Sequence, residues 1–432
     1  MRRSVAVVAA AVTGVITLAA CGSGSTGSEA GGSGGTADGA GRSLTVWIME
    51  GTNPDSAAYF EQVKSTFASQ TGATLDIQMV PWASAKDKFT TAIAGGTTPD
   101  VAEVGTTWTP EFAQAGALVD LTDRVSGAGL DGDLVPGLKE AGTYEGRLYG
   151  MPWYAGVRSV LYNKDVFDKA GITTPPTTWA QLTDAVTKIK QTQPNVTPFP
   201  VPGGSEFTAV PFIWGAGGEL ATDNGGTWTS ALDQAPALEG ITYLTNLAKQ
   251  SSNAAAATWT EKDALTAYAK GDVGMVVAGS WTPATLRKDA PQVAQRTGAF
   301  VMPGKSGMAP SFTGGSHLGV FENSADQDLA WQFVQLMTTG DLAAKWGQES
   351  NYFPGQQSLL DKQLTSDDEL TAVFAKQMTQ GGKTVPVTPL WGQVQGKKVV
   401  PTMMQSILSG QADPKTAAGT AAADMNATFS GN

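Results

Sequence analysis

A lone histidine, a lone cysteine and twelve tryptophans bound the chemistry open to this 432-residue chain. One Cys and one His exclude both a Cys/His zinc site and a disulfide within the chain. A calcium loop of the D-x-D-x-D-G type is also absent from the sequence, so no metal and no cofactor is expected. His317, in Gly314-Gly315-Ser316-His317, would need an activated serine beside it for nucleophilic catalysis. The G-x-S-x-G match, Gly31-Gly32-Ser33-Gly34-Gly35, has neither a strand before it nor a helix after it, so no catalytic residue is assigned. Paired carboxylates for glycoside hydrolysis stay open by count, because Asp and Glu number 39. Against them stand 28 Lys and Arg, a net charge of −11 with no basic stripe, which argues against nucleic acid as a partner.

The elements that must position such residues begin after an export segment. Arg2-Arg3 precede an uncharged apolar run, Val5 to Ala20, that is short for a membrane span and reads as a signal peptide over 1–20. The run ends Leu18-Ala19-Ala20-Cys21-Gly22, which resembles a bacterial lipobox and implies lipidation of Cys21. Residues 21–43 are mostly Gly, Ser, Thr and Ala, a composition unable to offset its own ordering entropy. They form a tether with a reach of roughly 25 Å. The expected address is the outer face of the cytoplasmic membrane, held there through the lipid alone.

With 41% apolar residues, the remainder is long enough for two or three cores. Leu44-Thr45-Val46-Trp47-Ile48 reads as a strand, followed by a helix over 55–70 that places Ala58, Phe60, Val63 and Phe67 on one face and stops at Gly72. A second strand over 75–80, a helix near 85–94 closed by Gly95-Gly96, a strand at 101–104 and a helix opened by Thr109-Pro110 repeat the alternation. Strand and helix in turn imply βαβ units and a largely parallel α/β sheet. Thr178 to Gln181 and Ser324 to Gln327 each match a capping box.

In chain order come Leu44-Thr45-Val46-Trp47, Thr98-Pro99-Asp100-Val101 with Phe112 to Leu118 behind it, Tyr149-Gly150-Met151-Pro152 and Leu161-Tyr162-Asn163-Lys164-Asp165. Trp214 to Gly218, Asp272 to Met275 before Gly279-Ser280-Trp281, and Ala330 to Val334 follow. This series resembles the extracellular solute-binding proteins of ABC transporters, in the carbohydrate-binding, maltose-binding-protein-like group. The resemblance covers 44–432. It implies a periplasmic-binding-protein-like fold: two α/β lobes, 44–156 with 313–385 and 157–312 with 386–432, joined by a hinge. The segments Tyr154–Arg158 and Phe312–Ser316 would cross between the lobes, and Gly156 and Gly314-Gly315 would give them backbone freedom. A monomer would capture a mono- or oligosaccharide in the cleft by closing on it and deliver it to an ABC permease; a secreted glycoside hydrolase is the alternative.

A sugar presents C–H faces to aromatic rings and a rim of hydroxyls to polar groups. Trp281, at the end of the strand Val276 to Ser280, and Trp391, ahead of a helix, resemble the family's stacking tryptophans. Counting back from Gly116, the family's polar contacts fall on Thr107 and Trp108, where its acid-and-base pair is missing, so maltose itself is not the expected ligand. Phe207, beside Glu206, sits near a family aromatic before Trp214-Gly215, and Glu50 follows the first strand in a loop that touches ligand in relatives. Tyr154 and Arg158 flank the first crossing, where Arg158 would bridge hydroxyls or pair with a carboxylate. His317 stands at the second crossing as cleft lining, with an inert buried histidine as the other reading. Asp100 is read as organising its own turn.

Overall fold

The computed structural model describes residues 39–51, 53–251, 254–365 and 367–431; the signal segment, Cys21 and most of the tether fall outside them. Its main sheet has nine strands: β1 (Ser43–Glu50), β2 (Thr74–Pro81), β3 (Val101–Gly105), β4 (Met151–Asn163), β5 (Met275–Gly279), β6 (Thr297–Phe300), β7 (Ser311–Val320), β8 (Phe353–Pro354) and β9 (Gly382–Lys383). The path runs β6-β4-β7-β3-β1-β2, with β5 and β8 on β4 and β9 on β7. β1 pairs parallel to β2 and β3, as the intervening helices require. β4 and β7 run antiparallel to each other and join this parallel end to β5 and β6.

The local signals act where their chemistry requires them. Helix Ala57–Thr71 buries Tyr59, Phe60, Val63 and Phe67 and ends on Gly72, whose φ of 74° suits glycine. Full burial of Val63 or Phe67 is worth about 1.5–3 kcal/mol each. Gly96 closes helix Trp82–Gly95 in the same left-handed way, at φ 64°. Thr178 accepts from the Gln181 N–H at the start of helix Trp179–Thr192, but Gln181 turns its own side chain to Thr177, so the reciprocal half of the box is missing. Ser324 does not cap a helix as expected. Its hydroxyl donates to Asp100 Oδ1 (2.6 Å), and helix Gln327–Thr338 starts behind Asp326 with no side-chain cap. Asp100 likewise reaches beyond its own turn, accepting from the Thr45 N–H of β1 (2.8 Å).

Apolar side chains gather into separate cores. Residues from Val160 to Met425 form one, under helices Trp179–Thr192, Glu206–Gly215, Ala235–Ser251, Val399–Leu408 and Pro414–Phe429. The β1-β2-β3 end carries a core on each side, one with Phe67, Phe333 and Trp346 and one with Phe89, Phe112 and Phe321. A smaller cluster joins Val157 and Leu161 of β4 to Phe353, Phe374 and Val276.

The register between β4 and β7 explains their glycines. Gly156 of β4 lies opposite Gly314 of β7, and Ala155 opposite Gly315. None of the three glycines has positive φ. What demands them is close approach: a Cβ on Gly156 would lie 2.6 Å from the Trp281 ring, one on Gly314 would strike the Phe312 ring, and one on Gly315 would strike the Tyr154 carbonyl. Room for neighbours, rather than conformational freedom, explains these residues.

Candidate functional site

Alternate residues of a strand share a face, so Tyr154, Gly156 and Arg158 of β4 project together with Phe312, Gly314 and Ser316 of β7. Two glycines between larger side chains leave a gap there, and Trp281 fills it. Its ring lies against Gly156 and 4.9 Å from the ring of Tyr352, which in turn stacks on Tyr154 at 4.0 Å. The Tyr352 hydroxyl donates to Asn53 Oδ1 (2.8 Å), beyond the end of β1.

On the other side of Gly156, the Arg158 guanidinium lies 4.3 Å from the Phe207 ring centre, 5.3 Å from that of Trp281 and 5.5 Å from that of Phe312. Phe207 and Phe312 stack at 4.2 Å. Arg158 donates to Glu261 through Nε (2.6 Å) and Nη2 (3.1 Å), a two-pronged pair that fixes the guanidinium plane. Glu206, next to Phe207, accepts from Gln395 Nε2. Burial pushes the Glu206 carboxyl up to about 7, with the Gln395 bond and Arg158 pulling it down and Glu261 adding to the rise. Gln395 Oε1 is buried without a partner among the described residues. The cluster therefore offers flat rings, one cation between two acids and an uncommitted amide oxygen.

A second aromatic group lies near helix Pro389–Gly396. Trp82 and Trp108 meet at 5.5 Å, with Lys86 beside Trp108 and bonded to Glu111. Gly392 leaves the space that Glu111 occupies, bringing helix Pro389–Gly396 onto helix Thr109–Gln114. Thr107 lines a small cavity with Thr106, Phe312, Thr313 and Thr388.

Of the residues singled out in the sequence, Arg158, Phe207, Trp281 and Tyr154 meet around Gly156 of β4. Tyr154 does so as a support, being buried with its hydroxyl committed to Glu103. Trp108 and Thr107 belong to the second group, and Glu50 is exposed at the end of β1. Two expectations are corrected. His317 does not line a cleft: it is fully buried, its Nε2–H donates to the Leu138 carbonyl (2.9 Å), and Nδ1 accepts from the Thr109 hydroxyl (2.8 Å). Burial pushes its imidazole down to about 4, leaving it neutral and structural. Trp391 is no open platform, because it is 1% exposed inside the largest core, with its Nε1 unpartnered among the described residues.

Glu261, Gln395, Tyr352, Asn53 and Trp82 were missed, since they come from segments distant in sequence that only the fold assembles. Glu103 could have been found: an acid between Val101-Ala102 and Val104-Gly105 breaks an otherwise apolar strand.

Residues 51–342 match the family model described as bacterial extracellular solute-binding protein. The chain is 29% identical over 404 residues to the diacetylchitobiose binding protein DasA of Streptomyces coelicolor, covering 92% of each. It resembles a crystal structure of an ABC transporter solute-binding protein of Thermotoga lettingae bound with α-D-tagatose, at 27% identity and a TM-score of 0.81 over 90% of this chain and all of that one. The acarbose-binding GacH receptor of Streptomyces glaucescens shares the fold, at 22% identity, a TM-score of 0.80 and coverage of 90% and 99%.

Proposed function

The chain belongs to the bacterial extracellular solute-binding protein family, and we propose that it captures a mono- or oligosaccharide and delivers it to an ABC permease. The observation that carries the sugar reading is the convergence of Phe207, Phe312, Trp281 and Tyr352 with Arg158, Glu206 and Glu261 where β4 and β7 pair. Rings suit the C–H faces of a pyranose, and the charged and amide groups suit its hydroxyl rim. The ligands named for the diacetylchitobiose-binding and tagatose-bound relatives support the same class.

In this reading 44–156 with 313–385 and 157–312 with 386–432 are two lobes, and β4 and β7 are the segments between them. Closure on the ligand would bring Arg158, Phe207 and Trp281 to the sugar, with Trp108 and Thr107 at the far edge and Glu50 reaching in from the end of β1. Lipidation at Cys21 would hold the monomeric receptor at the membrane surface. No helix among the described residues is long and apolar enough to cross a membrane. Replacing Cys21 with Ser would then release the protein into the medium.

Titration calorimetry with diacetylchitobiose, tagatose, maltose and lactose tests the reading. A ligand of roughly 23 heavy atoms at about 0.3 kcal/mol each gives a dissociation constant near the micromolar range. One sugar bound per chain and recovered unchanged is the expected result. Steady release of reducing ends would instead favour the hydrolase, and no heat from any sugar would refute both.

A further inference from the structure

We infer that Glu103 is a positioning residue for ligand binding, its carboxylate setting the placement of Tyr154 and, through it, of the Tyr352–Trp281 stack. The inference rests on the reading of that stack as part of a ligand site. Glu103 is 1% exposed in the middle of β3. Its Oε2 accepts from the Met49 N–H of β1 (2.8 Å), and its Oε1 accepts from the Ser316 hydroxyl of β7 (2.6 Å) and from the Tyr154 hydroxyl of β4. One carboxyl group thus joins four strands, including both that cross. Tyr154 then carries Tyr352 at 4.0 Å, and Tyr352 carries Trp281 at 4.9 Å.

All three partners are donors, which suits a carboxylate and not a carboxylic acid. A proton added to Glu103 needs an acceptor. The Met49 amide cannot supply one, so the Tyr154 or Ser316 hydroxyl must turn and give up its present bond. Burial nevertheless pushes the carboxyl up to about 7, the three bonds only partly opposing it. The titratable groups facing it are the phenols of Tyr154 on β4 and Tyr352 just before β8, and none of the ion pairs of the described residues includes Glu103. Two signs follow. Acidification from pH 8 to pH 6 loosens Tyr154 and weakens ligand binding. The stability due to this group runs the other way: with the carboxyl raised above its usual 4.5, that stability is full below about 4.5 and is lost as pH rises through about 7. A residue that served stability alone would leave the pH profile of affinity unchanged.

The test uses the secreted protein without its signal segment and three substitutions. Near-ultraviolet circular dichroism of the unliganded protein should show a step centred near pH 7 in the wild type and none in Glu103→Gln, whose amide stands in for the protonated acid. Glu206→Gln must keep the step, since Glu206 also titrates near 7. Ser316→Ala, which removes one donor to the carboxylate, should move the midpoint upward and serves if Glu103→Gln does not fold. In the Glu206→Gln background, which removes the other carboxyl of the ring cluster that titrates near 7, diacetylchitobiose affinity should fall several-fold from pH 8 to pH 6, and adding Glu103→Gln should abolish that slope. A step that persists in Glu103→Gln, or a midpoint unmoved in Ser316→Ala, overturns the assignment. Absence of binding by the wild type at either pH, with the step intact, overturns the ligand reading and leaves only the titration of the stack.

Discussion

Trp281 owes its position to what its neighbours lack. Gly156 and Gly279 both lie under its ring where any Cβ would collide, and the indole is 8% exposed. Truncating it therefore removes a ligand face and opens a cavity at the same time. Trp281→Ala is expected to weaken sugar binding by about 1–3 kcal/mol and to lower the melting temperature, whereas Trp281→Phe should restore most of the stability and part of the affinity. Calorimetry and thermal melts on both variants separate the two roles; equal affinity in all three proteins would remove Trp281 from the site. Glu206 gives a second residue-scale expectation. Its carboxyl is raised to about 7 in the fold, so its stabilising contribution is complete below about 4.5 and disappears as pH rises through about 7. Glu206→Gln should then melt higher than the wild type at pH 8 and show little difference at pH 4.5. A variant less stable at pH 8 would mean that its charge is stabilised better than its burial implies.

At the scale of elements, β4 and β7 decide what the molecule can do, and they were only partly legible. Pieces of β4 stood out in the sequence separately, Tyr149 to Pro152, the expected crossing Tyr154–Arg158 and Leu161 to Asp165, with nothing to mark them as one strand. The strand is buried on both faces from Met151 to Leu161, so the alternation that marks a half-buried strand is missing. Helix ends were readable where one glycine suffices, as at Gly72 and Gly96, because φ is a local property. The capping role given to Ser324 failed because the helix begins two residues later, behind Asp326, while the Ser324 hydroxyl accepts from the Asp326 N–H and donates to the distant Asp100, and no local pattern reports that. The glycines of β4 and β7 were visible as glycines, but their cause lies in close approach: of the Trp281 ring to Gly156, of the Phe312 ring to Gly314 and of the Tyr154 carbonyl to Gly315. Gly315 gives the sharpest test of that cause, since a Cβ there would run into the Tyr154 carbonyl rather than a movable side chain. Gly315→Ala should cost about 1–3 kcal/mol by forcing the two strands apart. Denaturant unfolding measures it, and a loss within about 0.5 kcal/mol, the range of an ordinary surface substitution, would return the explanation to backbone freedom.

For the whole molecule, the question is what holds the two proposed lobes together when no ligand bridges them. Lys288 Nζ bonds the Asp55 carboxylate (2.9 Å) and Arg287 bonds Asp368, but these side chains are 35–63% exposed. Pairs in that setting contribute about 0–1 kcal/mol each and are screened by salt. The tighter junction is helix Pro389–Gly396 against helix Thr109–Gln114, where Glu111, held by Lys86, occupies the space beside Gly392. Only the exposed pairs are weak; the buried cluster of Val157, Leu161 and Val276 with Phe353 and Phe374 also joins the two proposed lobes, and a ligand shifts the balance between open and closed forms only as far as it prefers one over the other. Saturating sugar should therefore reduce the radius of gyration measured by small-angle scattering. Gly392→Val would press on Glu111 and part the two helices, so it should enlarge the unliganded particle and weaken binding severalfold, although the substituted position faces a protein side chain rather than the ring cluster at the crossing. The comparison is made on folded protein with equal melting temperature. A radius unchanged by sugar, in a sample whose calorimetry shows saturation, would mean that the site is preformed and that contact between these helices is a fixed part of the fold.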